Sequence, residues 1–151
     1  MDKGTEFGFR IADVGFGEKR MTRSELEKRT RAFAIAVIHF IDNLPKNKAG
    51  SIMAMQLLRS ATSIGANYRE ANRAESRRDF VHKVAIVEKE AAESLYWMEL
   101  FEEAMIGNPE QVKLLFYECN QLVAIFTRIG KTTKQNLSHQ SEIRNPKSEI
   151  S

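Results

Sequence analysis

Phe80, Val84, Val87, Ala91, Ser94, Met98, Phe101 and Met105 recur at alternating spacings of four and three. An α-helix turns once in about 3.6 residues, so all eight fall on one face. A strand would need alternation by two, and no segment of the chain offers it convincingly. An apolar stripe sustained over about seven turns must be covered by other helices, which confines the chain to all-α architectures.

Three further segments supply those helices. Thr22 or Ser24 is expected to cap a first helix with a stripe of Leu26, Phe33, Val37, Phe40 and Leu44, widened by Ala34, Ile38 and Ile41. It ends before Pro45, which disfavours helical geometry at Leu44. Ser51 is expected to cap a second helix with a stripe of Met53, Leu57, Ser60, Ile64 and Asn67, flanked by Ala54, Leu58, Ala61 and Gly65. Glycine costs about 1 kcal/mol relative to alanine inside a helix. Its presence among Ala61, Ser63 and Ala66 therefore implies close approach of another helix, and the hydroxyls of Ser60, Thr62 and Ser63 can return to carbonyls one turn earlier. Ser76-Arg77-Arg78-Asp79 reads as a capping box opening the third helix, which Gly107 ends. Asn108-Pro109 opens a fourth, striped by Val112, Leu115, Cys119, Leu122, Phe126 and Ile129.

Short connections force successive helices to run antiparallel, so residues 22–131 are expected to form an up-down-up-down four-helix bundle. Residues 1–21 carry four glycines and no sustained period, and read as a flexible N-terminal arm. Residues 132–151 are mostly Lys, Thr, Gln, Asn and Ser, and read as a disordered C-terminal tail. With 151 residues, 42% of them apolar, one core is expected.

The single cysteine, Cys119, rules out an intrachain disulfide framework and suits a reducing compartment, so the cytoplasm is expected. No apolar run approaches the roughly 18 to 20 residues of a membrane span, and the N-terminus lacks the layout of a signal peptide. A di-iron site would need paired Glu-x-x-His motifs. Only Asp79-x-x-His82 and the reversed His39-x-x-Asp42 come near, so neither metal nor cofactor is expected. There is no glycine-rich phosphate loop, paired-cysteine zinc motif or nucleophile–base set, and the chain reads as a non-enzyme. The catalytic alternative is a small helical ribonuclease using Arg77 and His82; the blandest is an oligomeric scaffold without nucleic-acid binding.

Charge is unevenly placed. From Lys46 to Arg78 seven basic residues stand against Glu70 and Glu75, whereas from Asp79 to Ile106 seven acidic residues stand against Lys83 and Lys89. Complementary pairing of neighbouring helices explains this, as does a basic face on one subunit meeting an acidic face on another. Arg69, Arg73, Arg77 and Arg78, spanning the end of the second helix and the start of the third, are the candidate phosphate contacts. Arg59, beside the buried stripe, requires a carboxylate partner, with Glu88, Glu90 or Glu93 in reach. Asn67 and Glu70 share a helical face and complete a candidate polar network that caps or crosslinks helices, or joins subunits.

The run Arg59-Ser60-Ala61-Thr62-Ser63-Ile64, followed by Asn67, Glu70, Arg77 or Arg78, Phe80 and an acidic third helix, resembles the four-helix bundle proteins encoded in intervening sequences of bacterial 23S rRNA genes. The resemblance extends from Met21 to Lys131. It departs where many relatives read Glu-Gly after Asn and a residue pair, because here Asn67 leads to Tyr68-Arg69-Glu70-Ala71. The resemblance implies an antiparallel four-helix fold, a ring-like homo-oligomer that is typically pentameric, and no established enzymatic activity. A related branch, the accessory protein of diversity-generating retroelements, binds a reverse transcriptase and nucleic acid through a basic surface. By that likeness the expected partners are further copies of the chain and RNA or a ribonucleoprotein.

Overall fold

The computed structural model describes residues 21–144. Four helices follow one another: α1 (Arg23–Asp42), α2 (Lys48–Ala71), α3 (Arg77–Glu103) and α4 (Pro109–Arg144). Each packs on the next and α4 returns to α1, with the α2–α3 and α3–α4 interfaces the most extensive and α1–α4 the thinnest. Neighbours run antiparallel. Gly50, at the start of α2, meets Ile106 just beyond α3; Asn72, just beyond α2, donates to Glu27 near the start of α1; and Gly130 of α4 packs on Val84 in the third turn of α3. The expected four-helix bundle is the observed one.

Local chemistry fixes the helix starts. At α1 the Thr22 hydroxyl accepts from the Glu25 amide while the Glu25 carboxylate accepts from the Thr22 amide at 2.8 Å, a reciprocal capping box. At α2 the cap is Asn47 rather than the expected Ser51. Asn47 Oδ1 accepts from the Gly50 amide at 2.8 Å, and Ser51 lies within the first turn, its Oγ donating to the Asn47 carbonyl. Asparagine caps as well as serine and comes first in the chain, so the helix gains a turn. Ser76 and Asn108 cap α3 and α4 as expected.

The stripes become the core. Those of α3 from Phe80 to Phe101 and of α4 from Val112 to Ile129 are buried throughout, as are Leu26, Phe33, Val37 and Phe40 of α1. Tyr68, which no stripe claimed, is fully buried and sets its ring edge-on to Phe126 at 5.2 Å between centroids; Phe40 and Phe101 make the same contact at the same separation. Between α2 and α3 the buried hydroxyls of Ser60 and Ser94 lie 2.8 Å apart, with the carbonyls of Leu57 and Glu90 as further partners. Small hydrogen-bonded side chains thus allow close helix approach without stranding a polar group.

Two expected core positions are surface. Ile38, on the margin of the α1 stripe one residue past Val37, is 40% exposed. Met105 is 88% exposed because α3 stops before it. There the Ile106 amide donates to the Phe101 carbonyl and the Met105 amide to that of Glu102, the paired bonds of a Schellman ending. Met105 carries the required left-handed conformation, φ 53°, where glycine is the usual residue. Met105→Gly is therefore expected to raise stability by roughly 0.5–1 kcal/mol, the relief of left-handed strain outweighing the added unfolded-state entropy. Urea unfolding reads this, and an unchanged or lower midpoint refutes it. Gly107, at φ 93°, admits no such exchange, since an added Cβ would sit 2.8 Å from Phe40 Cε2.

The expected disordered tail is helical through Arg144, while residues 145–151, like the arm up to residue 20, lie outside the described residues. The stripe of α4 runs one turn past Ile129: Thr133 is buried and its Oγ1 donates to the Ile129 carbonyl at 2.8 Å. From there each added residue contributes one hydrogen bond to an existing helix, and Lys134, Gln135, Leu137 and Gln140 are good helix formers. Among the described residues no helix is long and apolar enough to cross a membrane.

Candidate nucleic-acid interface

Ion pairs cross between the helices. Arg29 Nη2 lies 2.6 Å from Glu118 Oε1, joining α1 to α4; Arg59 Nη2 lies 2.8 Å from Glu93 Oε1 and Lys83 Nζ lies 3.2 Å from Glu70 Oε2, both joining α2 to α3. The partner of Arg59 is thus Glu93, whose Oε1 also accepts from Trp97 Nε1 at 3.4 Å. Because the Arg59 side chain is 61% exposed, solvent limits this pair to about 1 kcal/mol or less. Glu88 turns instead toward α4, where a Cβ added at Gly130 would lie 2.8 Å from its Oε2.

Of the expected polar network, Glu70 crosslinks α2 to α3 and Asn67 bonds within its own helix. Asn67 Nδ2 donates to the Ser63 carbonyl at 2.8 Å within its own helix, one turn back, while Glu70 reaches Lys83. An amide on the half-buried flank of a helix has that carbonyl close at hand, so local bonding wins over crosslinking.

The four-arginine cluster divides. Arg69 and Arg73, one turn apart on α2 and its C-terminal turn, line a groove of about 430 Å³ between α1 and α2. Thr62, Gly65, Ala66 and Glu70 complete the α2 side, and Glu27, Thr30, Arg31 and Ala34 form the α1 side. The helices close on one another at its floor, where a Cβ added at Gly65 would stand 3.1 Å from Thr30 Oγ1. Both carboxylates bind elsewhere: Glu27 Oε1 accepts from Asn72 Nδ2 at 3.0 Å, and Glu70 takes Lys83. Arg31 is a groove residue that sequence reasoning misses. It follows Glu27 by four and precedes Ala34 by three, on the flank of α1 that faces α2, and that signal acquires meaning only once the neighbour is known.

Arg77, half-buried, and exposed Arg78 open α3, outside the groove. The packing of Gly130 on Val84 carries α4 toward this turn, so exposed Lys131 and Lys134, with Arg128 a turn before them, lie in the same half of the bundle. Arg31, Arg69, Arg73, Arg77, Arg78, Lys131 and Lys134 form no ion pair with a described carboxylate. At the opposite end exposed Glu99, Glu102 and Glu103 close α3 and Glu110 opens α4, interspersed with exposed Lys46, Lys48 and Lys113.

His82, on the surface of α3, follows Arg77 by five residues, which turns the two about 140° apart around the helix. They do not share a face. Among the described residues no three His, Cys, Asp or Glu side chains are grouped to hold a metal ion. Cys119 is buried, its Sγ donating to the Ala91 carbonyl at 3.7 Å; burial first, then the charges of Glu118 and Glu99, push its thiol up to about 12.

No curated protein matches this chain. A crystal structure of a protein of unknown function from the S23 ribosomal protein family of Bacteroides thetaiotaomicron is similar at 34% identity and a TM-score of 0.65, covering 74% of this chain and 99% of that one. The 23S rRNA-intervening sequence protein model matches residues 23–128, spanning α1 through much of α4. The bundle, its small-residue second helix and this match together assign the chain to the 23S rRNA-intervening sequence protein family.

Proposed function

We propose that this protein is a non-catalytic homo-oligomer that binds RNA, alone or in a ribonucleoprotein, through the basic end of its bundle. The observation that carries the reading is the convergence of Arg77 and Arg78 from α3 with Arg128, Lys131 and Lys134 from α4, close to the α2 ending that bears Arg69 and Arg73. Cationic side chains projecting from helices suit phosphate contact without base readout. Oligomerisation draws support from large apolar side chains left exposed on all four helices, Ile35 on α1, Ile52 and Met55 on α2, Tyr96 on α3 and Leu114 and Tyr117 on α4, of which those on α1 and α4 and those on α2 and α3 can form two unlike patches. Two unlike patches favour a head-to-tail contact over a two-fold one, and such a contact forms a ring where its rotation closes. A pentamer is the ring the family likeness favours.

Solution mass by light scattering, with and without RNA, tests both parts together. The expected result is a mass several times 17.3 kDa that rises further when RNA is added. Combined Arg77→Gln, Arg78→Gln and Lys131→Gln should weaken RNA binding uniformly across sequences. It should also flatten the salt dependence by about 0.7 to 0.9 log units per log of salt for each phosphate that the variant no longer neutralises. A monomeric mass overturns the oligomer. An unchanged salt slope in the triple variant overturns the basic-end site.

A further inference from the structure

We propose that the α1–α2 groove is a receptor for a phosphate monoester, the group borne by a free 5′-nucleotide or by the 5′ end of an RNA strand. The site lies beside the basic end and does not require RNA to be the protein's partner.

Three guanidiniums, Arg31 from α1 and Arg69 and Arg73 from the α2 side, line one groove from both walls, and none is neutralised by a described carboxylate. The carboxylates that line the groove with them are Glu70, balanced by Lys83, and Glu27, which accepts from the neutral Asn72 amide and keeps its charge, so three guanidiniums stand against one unbalanced carboxylate. The hydroxyl protons on the groove walls are engaged as well: Thr30 Oγ1 donates to the Glu27 carbonyl and Thr62 Oγ1 to that of Leu58. The arginines are therefore the donors available to a ligand, and a group they recognise must be an anion rich in acceptors.

The choice of a monoester follows from charge and geometry. A phosphodiester inside a strand offers two free oxygens and one negative charge. A terminal phosphate offers three oxygens and nearly two charges at pH 7, its second proton leaving near pH 6. Guanidiniums approaching from two walls match the terminal group better, since each can bind a different oxygen. The floor at Gly65 and Ala66 carries almost no side chain, and about 430 Å³ lies within the range of small-molecule sites.

The test compares an RNA oligonucleotide carrying a 5′-phosphate, the same oligonucleotide ending in a 5′-hydroxyl, and free adenosine 5′-monophosphate. Each is titrated into the full-length protein and into the combined Arg31→Gln, Arg73→Gln variant. Arg31 and Arg73 are exposed, so the variant should fold, which its melting curve checks. The expected result is binding at least about tenfold tighter for the 5′-phosphorylated strand than for the 5′-hydroxyl strand. That preference should vanish in the variant and shrink as pH falls below about 6, where the phosphate takes up its proton. Arginine-dependent binding of the mononucleotide at similar strength identifies the free nucleotide as the ligand and also supports the site. Equal binding of the two strands together with no binding of the mononucleotide overturns the receptor and leaves the RNA reading standing. Mononucleotide binding without RNA binding does the reverse.

Discussion

Phe126→Ala is expected to remove about 3–5 kcal/mol of stability, the range for deleting a fully buried aromatic ring. Phe126 has no solvent exposure and meets Tyr68 edge-on at 5.2 Å, so one ring contact fastens α4 to α2 across the bundle. The surrounding side chains come from several helices and cannot collapse into the vacated space together, so most of the cavity remains. A domain of this size is stabilised by about 5–15 kcal/mol, and the loss is therefore a large share of the total. Urea unfolding followed by far-ultraviolet circular dichroism measures it. Phe126→Leu, which keeps part of the volume but no ring, should fall between alanine and the natural residue. A cycle with Tyr68→Leu should return a coupling of about 0.5–1.5 kcal/mol for the ring pair. A loss below about 1 kcal/mol for the alanine variant would contradict tight packing at this point.

Local periodicity and local hydrogen bonding govern the features that are legible in the sequence. The α3 stripe from Phe80 to Phe101 and the α4 stripe from Val112 to Ile129 are buried because burial of a helix face follows from spacing alone. Gly65 signals a close helix contact, and Thr30 is what lies against it. Where sequence and structure part, the cause is competition or termination. Asn47 and Ser51 are both good caps, and only the side chain that reaches an amide decides between them. Met105 continues the α3 spacing, yet spacing carries no information about a chain that turns left-handed at that residue. Tyr68 escapes for a different reason: it follows Ile64 by four, on stripe, but its polar end disguises its burial.

The candidate site is less legible, because it depends on which helices stand side by side. Four arginines close in sequence, Arg69 to Arg78, separate into two settings once the turn between α2 and α3 is made. Meanwhile Arg31, far before Arg69 in the chain, joins the groove. By composition Lys134 belongs to a disordered tail and Lys131 to its margin, and their position in the half of the bundle that holds Arg77 and Arg78 follows from the long packing of α4 on α3. Long-range placement of charge is a property of topology. The pairing of Arg59 with Glu93 is within reach of sequence because an antiparallel hairpin with a short loop restricts which turns of α2 and α3 meet.

Raising the pH from 9 to 12 should destabilise the protein through Cys119, at up to about 1.4 kcal/mol per pH unit. The thiol's ordinary value is 9.0 and the fold pushes it to about 12, chiefly by burial and secondarily through the negative charges of Glu118 and Glu99. A raised value means that the folded state holds its proton where the unfolded state has released it, so stability falls as pH rises. The contribution is fully present below pH 9 and is lost progressively toward pH 12, amounting to about 4 kcal/mol in order of magnitude. Lysine and tyrosine side chains titrate in the same interval, so the measurement is a comparison. Unfolding midpoints of the natural protein and of Cys119→Ala are followed from pH 8 to pH 11. The variant carries a fixed cavity cost, which shifts its curve without changing its slope, and it lacks the thiol's titration. The two curves should therefore converge as pH rises. Parallel curves would show that Cys119 ionises as readily in the fold as outside it, which is incompatible with a thiol enclosed between α3 and α4 and bonded to the Ala91 carbonyl.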